Sequence, residues 1–217
     1  DNAIIEIDNE EVPIMDGSSK DFINILEKTP LINQFTKRQY LKISKKIELV
    51  DGKRKISIEP NKESLNVNFQ LNYENKIIGK QKNIIDFEKD KLDDVISSRT
   101  FCLFEDIEKI KKFGLAKGGS LNNAVVVDNE KILNEGGLRN EKEFVNHKIL
   151  DLAGDFLLSG HRIIGKVTCH QGGHELTNLF LRKVFKTESG FHFVEQKDFT
   201  ASEKIHSKDL EKIAVNA

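Results

Sequence analysis

Apolar and polar positions alternate with a period of two from Leu41 through Ile43, Ile47 and Leu49, and again from Ile56 and Ile58 to Leu65, Val67, Phe69 and Leu71. An Asp51-Gly52 turn separates the two runs. Such alternation places one side of each segment in a core and the other towards water, which predicts strands, and Asp-Gly is a hairpin signal. An antiparallel meander is therefore expected. Two helical patterns follow, near residues 91–97 and 105–113, the second closed by Gly114 at a plausible C′ position. A third spans residues 140–159. A last unit reads as a strand over residues 163–170, a Gly172-Gly173 turn and a helix over residues 175–185. Local strand pairing with interspersed helices predicts an α+β class rather than a doubly wound parallel sheet.

The same order of elements occurs twice. Residues 2–12 (NAIIEIDNEEV) and residues 123–132 (NAVVVDNEKI) each hold a β-branched run, an Asp-Asn-Glu turn and a second apolar run, which reads as a hairpin. Asp16-Gly17-Ser18 follows the first and Glu135-Gly136-Gly137 the second, and a helical pattern comes after each: Phe22, Ile25 and Leu26, then Phe144, Leu152 and Phe156. A recurring hairpin, turn and helix is how two domains of shared topology look in sequence. The second copy has about eighty residues before its hairpin and the first has essentially none. The expected organisation is two similar β/α sandwich domains facing each other, the first lacking its N-terminal portion. Residues 1–36 would be its C-terminal remnant, 37–190 the second domain with the His147 helix, and 191–217 a polar tail. A single domain with an N-terminal hairpin and helix remains the alternative.

Composition narrows the function classes. Apolar residues make up 38% and charged residues 32%, enough for a sizeable core, and 34 Lys and Arg nearly cancel 35 Asp and Glu. No field of one sign points to nucleic acid or an acidic membrane. No run approaches the roughly 20 apolar residues of a membrane span, and there is no signal-peptide pattern, so a cytoplasmic setting is expected. Cys102 and Cys169 lie in unrelated contexts without CxxC spacing, which reads as small buried hydrophobes rather than a disulfide or thiolate metal site.

The helix of residues 140–159 carries the candidate chemistry. On a wheel with His147 at zero, Asp151 falls at about 40°, Asp155 at about 80° and Lys148 at about 100°. Val145, Ile149, Leu150, Leu152, Phe156 and Leu157 cover most of the remaining circumference, as in a helix packed on nearly all sides. His147 and Asp151, at i and i+4, reach the same point from one face and suit Zn²⁺, with room for a third protein ligand and a water. The spacing also describes an ordinary ion pair on a solvated face, and both readings stay open. His174 follows two glycines at a helix start, where the dipole disfavours a cation. A proton-donating role there needs a carboxylate, and Asp155 is the candidate; a capping or core histidine is the alternative.

Other features carry less. His161, His170, His192 and His206 have no comparable context and read as structural. Gly118-Gly119-Ser120 lacks the spacing of a phosphate loop and reads as a turn, and the basic run Lys109 to Lys112 as a solvated helix face. No GxSxG elbow occurs, which disfavours a serine hydrolase.

Several segments in order are similar to one family: Val12-Pro13-Ile14-Met15-Asp16-Gly17-Ser18, Arg99-Thr100-Phe101, Gly118-Gly119-Ser120-Leu121-Asn122-Asn123-Ala124-Val125, His147-Lys148-Ile149-Leu150-Asp151-Leu152-Ala153-Gly154-Asp155, and Gly173-His174. Together they resemble the UDP-3-O-acyl-N-acetylglucosamine deacetylases of Gram-negative lipid A synthesis, from Asp1 to about Phe185. The resemblance implies two α+β domains with zinc and substrate between them. It implies His147 and Asp151 as zinc ligands, His174 supported by Asp155 as the acidic or electrostatic partner, and Thr100 at the oxyanion. Lys148, Tyr73 and Asp106 would meet the nucleotide end of the substrate, and Phe101 would also contact it. Phe104, Ile107 and Ile110 would line the passage for the acyl chain. The implied reaction is zinc-dependent hydrolysis of the N-acetyl group of UDP-3-O-acyl-N-acetylglucosamine, releasing acetate, by a monomer with a small-molecule substrate.

Two departures stand out. The family's third zinc ligand and its general-base glutamate form a Glu-His motif upstream of where this sequence begins, so the fragment is expected to be inactive alone. Where family members usually carry a basic residue three before the catalytic histidine, this chain has Gln171. A non-catalytic module that uses the cleft to bind a UDP-sugar or an acyl chain is the competing reading, and an unrelated metal hydrolase the third.

Overall fold

In a computed structural model the described residues are 2–114 and 116–195. They form an α+β fold. The strands are β1 (Gln39–Ile43), β2 (Ile47–Asp51), β3 (Arg54–Glu59), β4 (Leu65–Asn72), β5 (Lys80–Asp86), β6 (Phe101–Leu103), β7 (Val125–Asp128), β8 (Lys131–Ile132), β9 (Arg162–His170) and β10 (Phe191–Glu195). The helices are α1 (Lys20–Glu27), α2 (Asp93–Ser97), α3 (Phe104–Lys112), α4 (Glu143–Phe156) and α5 (His174–Lys186).

Seven strands make the main sheet, and β9 organises it. It pairs parallel with β1 and β4 and antiparallel with β3, while β2 extends β3, β5 extends β4 and β10 extends β1. The expected meander therefore holds only as the hairpin β2–β3; β4 pairs instead with β5, a strand that the alternation does not mark. Neither β1 with β2 nor β3 with β4 pairs directly, because β9, distant in sequence and buried at Ile163, Val167 and Cys169, lies between them. Alternation succeeds locally: Val67, Phe69 and Leu71 of β4 are buried while Asn72 is exposed. Helices α4 and α5 pack against each other, α4 on β4 and β5, α5 on β2 and β3. Phe144, Val145, Ile149, Leu152 and Phe156 of α4 enter the core beside Leu176, Phe180 and Val184 of α5.

A second sheet joins β6 parallel to β7 and β7 antiparallel to β8, so the hairpin expected at residues 123–132 is formed. Its counterpart at residues 2–12 is not: the segment has no strand, and Ile4, Ile5 and Val12 are exposed. A two-stranded ribbon without a third strand or a helix to cover it is at best marginal in water, and nothing in the described residues covers this one. The segment is anchored further on. Thr100 N donates to Gly17 O at 2.8 Å and Ser19 N to Ile96 O at 3.1 Å. Gly17 has φ +84°, and a Cβ there would overlap the Asn123 carbonyl oxygen, so this position requires glycine twice over.

Phe191–Glu195, expected within a polar tail, is instead the edge strand β10, where Phe191 packs on Phe185 and Phe193 on His161. The rest of that tail, with His206, lies outside the described residues. No helix among the described residues is long and apolar enough to cross a membrane.

Candidate active site

Helix α4 begins at Glu143, whose side chain is fully buried. Its Oε1 accepts from Arg99 N at 3.0 Å and Arg99 Nε at 2.8 Å, and its Oε2 from Arg99 Nη2 at 3.1 Å and Arg139 N at 2.7 Å. Burial pushes the Glu143 carboxyl up, but these donors together outweigh it and hold it below its ordinary value. Arg99 Nη2 also donates to Gly137 O at 2.8 Å. Arg139 pairs with Asp16 at 2.7 Å and donates to Ser97 O at 3.0 Å, which joins the N-terminal segment to the end of α2. Sequence reasoning missed the Arg99–Glu143 pair. A signal existed: Glu143 is four residues before His147, hence at about −40° on the same wheel, beside the polar stripe.

One turn on, His147 is 8% exposed, and its Nδ1 lies 3.0 Å from the carbonyl oxygen of Ser98. A carbonyl only accepts, so Nδ1 carries the proton and Nε2 keeps its lone pair. Burial pushes the imidazole pKa below its ordinary value, only partly offset by Asp151 and the Ser98 carbonyl, so a second proton is disfavoured. Nε2 then faces Asp151 Oδ1 at 3.3 Å. Two acceptors that close, in a site 8% and 18% exposed at histidine and aspartate respectively, attract a cation between them, and imidazole with carboxylate is a donor set that divalent metals take. Among the described residues no third His, Cys, Asp or Glu converges with this pair. Lys148 Nζ lies 2.9 Å from Asp151 Oδ2 and 5.6 Å from the Phe101 ring centroid.

A turn further along α4, Asp155 holds His174 by Nδ1, at 2.9 and 3.0 Å from its two oxygens. His174 is the first residue of α5, after Gly173, and its side chain is 69% exposed, so Nε2 is presented outwards. Asp155 supplies the negative charge that a helix N-terminus lacks. A small cleft of about 10 Å³ is lined by Lys148, Gly173 and the two carboxylates, Asp151 and Asp155.

Phe101 links this cluster to a far larger space. Its ring meets Phe144 at 4.9 Å, Tyr73 at 5.9 Å and His147 at 6.5 Å between centroids. Tyr73 thus packs edge-to-face on Phe101 and is half-buried. Thr100 and Phe101 also line a groove of about 1440 Å³, walled by Phe104, Ile107 and Ile110 of α3 and by Val12 and Ile14 of the N-terminal segment. The groove is therefore largely apolar and lies beside the titratable cluster, not at it; the cluster has the chemistry and the groove the room. Asp106 is not among the groove's lining residues and pairs with Lys109 at 3.0 Å. Gln171, at φ +54°, turns its amide to the Asn72 backbone, donating to Asn72 O and accepting from Asn72 N, both at 2.7 Å. Cys169 is fully buried, its thiol pushed up to about 12 by burial, while Cys102 is half-buried at the groove wall.

The sequence model of the UDP-3-O-acyl N-acetylglycosamine deacetylase family matches residues 1–186. The chain is 38% identical over 196 residues to UDP-3-O-acyl-N-acetylglucosamine deacetylase of Pseudoalteromonas translucida, covering 89% of this chain and 64% of that protein. The enzymes of the same name from Acidithiobacillus ferrooxidans and Syntrophotalea carbinolica are 37% and 39% identical, over 90% of this chain and 65% and 63% of their own lengths. The chain thus spans a little under two thirds of these relatives.

Proposed function

Because this chain belongs to the UDP-3-O-acyl-N-acetylglucosamine deacetylase family, we propose that its two imidazole–carboxylate pairs serve a zinc-dependent hydrolase that removes the N-acetyl group of UDP-3-O-acyl-N-acetylglucosamine. Acetate and a free amino sugar are the products, on the route to lipid A. The observation that carries this reading is the convergence on α4 of a buried, Nδ1-anchored His147 facing Asp151 at 3.3 Å and an exposed His174 held by Asp155 at 2.9 Å. The setting that goes with it is cytoplasmic, with a small-molecule substrate.

His147 Nε2 and Asp151 would hold Zn²⁺. When bound, the ion supplies a Lewis acid that polarises a carbonyl oxygen and lowers the pKa of water. The remaining steps belong to side chains. Asp155 fixes the ring of His174 through Nδ1, so that Nε2 can stabilise negative charge growing on the acetamide oxygen and deliver a proton to the departing amine. Thr100, at the head of the groove, would add a donor to the same oxygen. Lys148 balances the charge of Asp151 and would reach the nucleotide end, beside Tyr73, Phe101 and Asp106. The apolar wall of Phe104, Ile107 and Ile110 would take the acyl chain and keep water from it. A third zinc ligand and the base that takes the proton of water are assigned to no residue of this chain.

The test is acetate release from UDP-3-O-acyl-N-acetylglucosamine by the full-length protein, with Asp151→Ala and His174→Ala beside wild type. Zinc binding is followed by competition with a chelator. Loss of turnover in both variants, with loss of zinc only in the first, supports the assignment. Wild-type turnover in either variant overturns it.

A further inference from the structure

The peptide joining Ser98 to Arg99 is gripped twice by α4. Its carbonyl, of Ser98, accepts from His147 Nδ1 at 3.0 Å, and its amide, of Arg99, donates to Glu143 Oε1 at 3.0 Å. Glu143 and His147 are four residues apart on one helix, so a single face of α4 holds both ends of one peptide unit. The guanidinium of the same Arg99 closes on both Glu143 oxygens, at 2.8 and 3.1 Å, and Ser98 Oγ donates to Asp94 O and accepts from Asn140 Nδ2. Ser98 and Glu143 are 0% exposed, Arg99 8%. The peptide plane therefore has no freedom to rotate away from His147.

We infer that Glu143 is a positioning residue for His147: by fixing the Ser98–Arg99 peptide it sets which imidazole nitrogen carries the proton and where Nε2 points. Two physical effects act together. An amide that donates to a carboxylate polarises its own carbonyl, which makes Ser98 O a stronger acceptor for Nδ1–H. A ring nitrogen held by such a partner fixes the tautomer and raises the basicity of the other nitrogen, as the outer partners of ligating histidines do. Arg99 neutralises the buried carboxylate and, through its own N–H, belongs to the peptide being held. The inference rests on the proposal that His147 offers Nε2 to a metal, and it deepens that proposal by adding the group that makes the offer reliable.

Simple truncation of either charged partner leaves the other buried and unpaired and endangers the fold. The informative variant is therefore the double substitution Arg99→Met/Glu143→Leu, which removes both charges at similar volume and leaves the peptide N–H without its acceptor. Glu143→Gln is the conservative companion, since its amide oxygen still accepts from Arg99 N–H. Two quantities are read in the full-length protein: the imidazole ¹⁵N spectrum of His147 without metal, and zinc affinity by chelator competition. Wild type is expected to show the Nδ1–H tautomer. The double variant is expected to gain the Nε2–H form and to lose about 10- to 100-fold in affinity, while Glu143→Gln keeps the Nδ1–H signature. An Nε2–H spectrum in wild type overturns the inference whether or not the double variant folds. So does a folded double variant with wild-type tautomer and affinity, or a Glu143→Gln protein as impaired as the double variant. Failure of the underlying proposal looks different: zinc affinity is then insensitive to His147→Ala itself.

Discussion

Two imidazole–carboxylate pairs take their carboxylates from α4, and they differ in which group holds Nδ1 and in how much water reaches the ring. His147 is held at Nδ1 by a backbone carbonyl, has a side chain only 10% exposed, and turns Nε2 on a carboxylate within the protein. His174 is held at Nδ1 by the carboxylate itself and, with a side chain 69% exposed, turns Nε2 outwards. Burial disfavours a second proton on the first ring; the second ring lies open to water against a carboxylate. The same two residue types, with their carboxylates one turn apart on α4, thus stand in different environments. On the proposed reading, environment rather than identity divides the work.

The comparison can be broken in several places. The largest effect is expected for His147→Ala or Asp151→Ala in the full-length protein, about ten-thousandfold in kcat, from loss of the several kcal/mol a metal supplies. Zinc in excess should not restore it. At the second pair, His174→Ala should lower kcat by about 100- to 1000-fold with zinc content unchanged. Asp155→Asn, which removes only the charge behind the ring, should cost less, about tenfold to a hundredfold. Equal losses in the two variants would mean that the aspartate acts independently of His174. Away from both pairs, Ile110→Ala should lower kcat/KM about tenfold for a long-acyl substrate and leave a short-acyl analogue nearly unchanged, since about 0.8 kcal/mol is lost per unburied methylene.

Smaller effects concern stability. Gln171→Ala should cost about 1 kcal/mol in urea denaturation, by loss of the amide pair with Asn72, and should loosen the turn that carries His174 without altering zinc affinity. Acidification tests the buried pair alone. The folded His147 pKa lies below its ordinary 6.5, so the unfolded chain binds a proton that the folded chain refuses. The contribution of His147 to the stability of the metal-free protein is therefore full above about pH 6.5 and declines as pH falls towards the depressed folded value. His147→Asn should flatten that part of the profile while leaving the lower-pH decline that comes from Glu143. A profile identical to wild type would show that the ring is not desolvated.

Much of the site could be read from residues that are neighbours on one helix. His147, Lys148, Asp151 and Asp155 come together because 3.6 residues make a turn, and the surrounding apolar positions already marked α4 as enclosed. The turn and helix after β9 were equally legible, since Gly172-Gly173 and the apolar period of α5 are local signals. What failed, failed where pairing is non-local. The run at residues 2–12 has the composition of a hairpin and forms none, and Phe191–Glu195 looked like tail and joined β1 across the length of the domain. Gln171 stands where a cation was expected, and only the fold shows its amide closed on Asn72.

By itself the sequence determined the α+β class, the hairpins β2–β3 and β7–β8, and the polar stripe of α4, because each depends on contacts between residues a few positions apart. The ordered family segments determined the chemistry to look for. Only the tertiary structure decided that β9 lies between strands that look consecutive, that Glu143 grips Arg99 from forty-four residues away, and that Ser98, forty-nine residues before His147, fixes its ring. Closing such contacts costs chain entropy that local patterns do not record, and the cost is met by burial of the whole core rather than by any one segment.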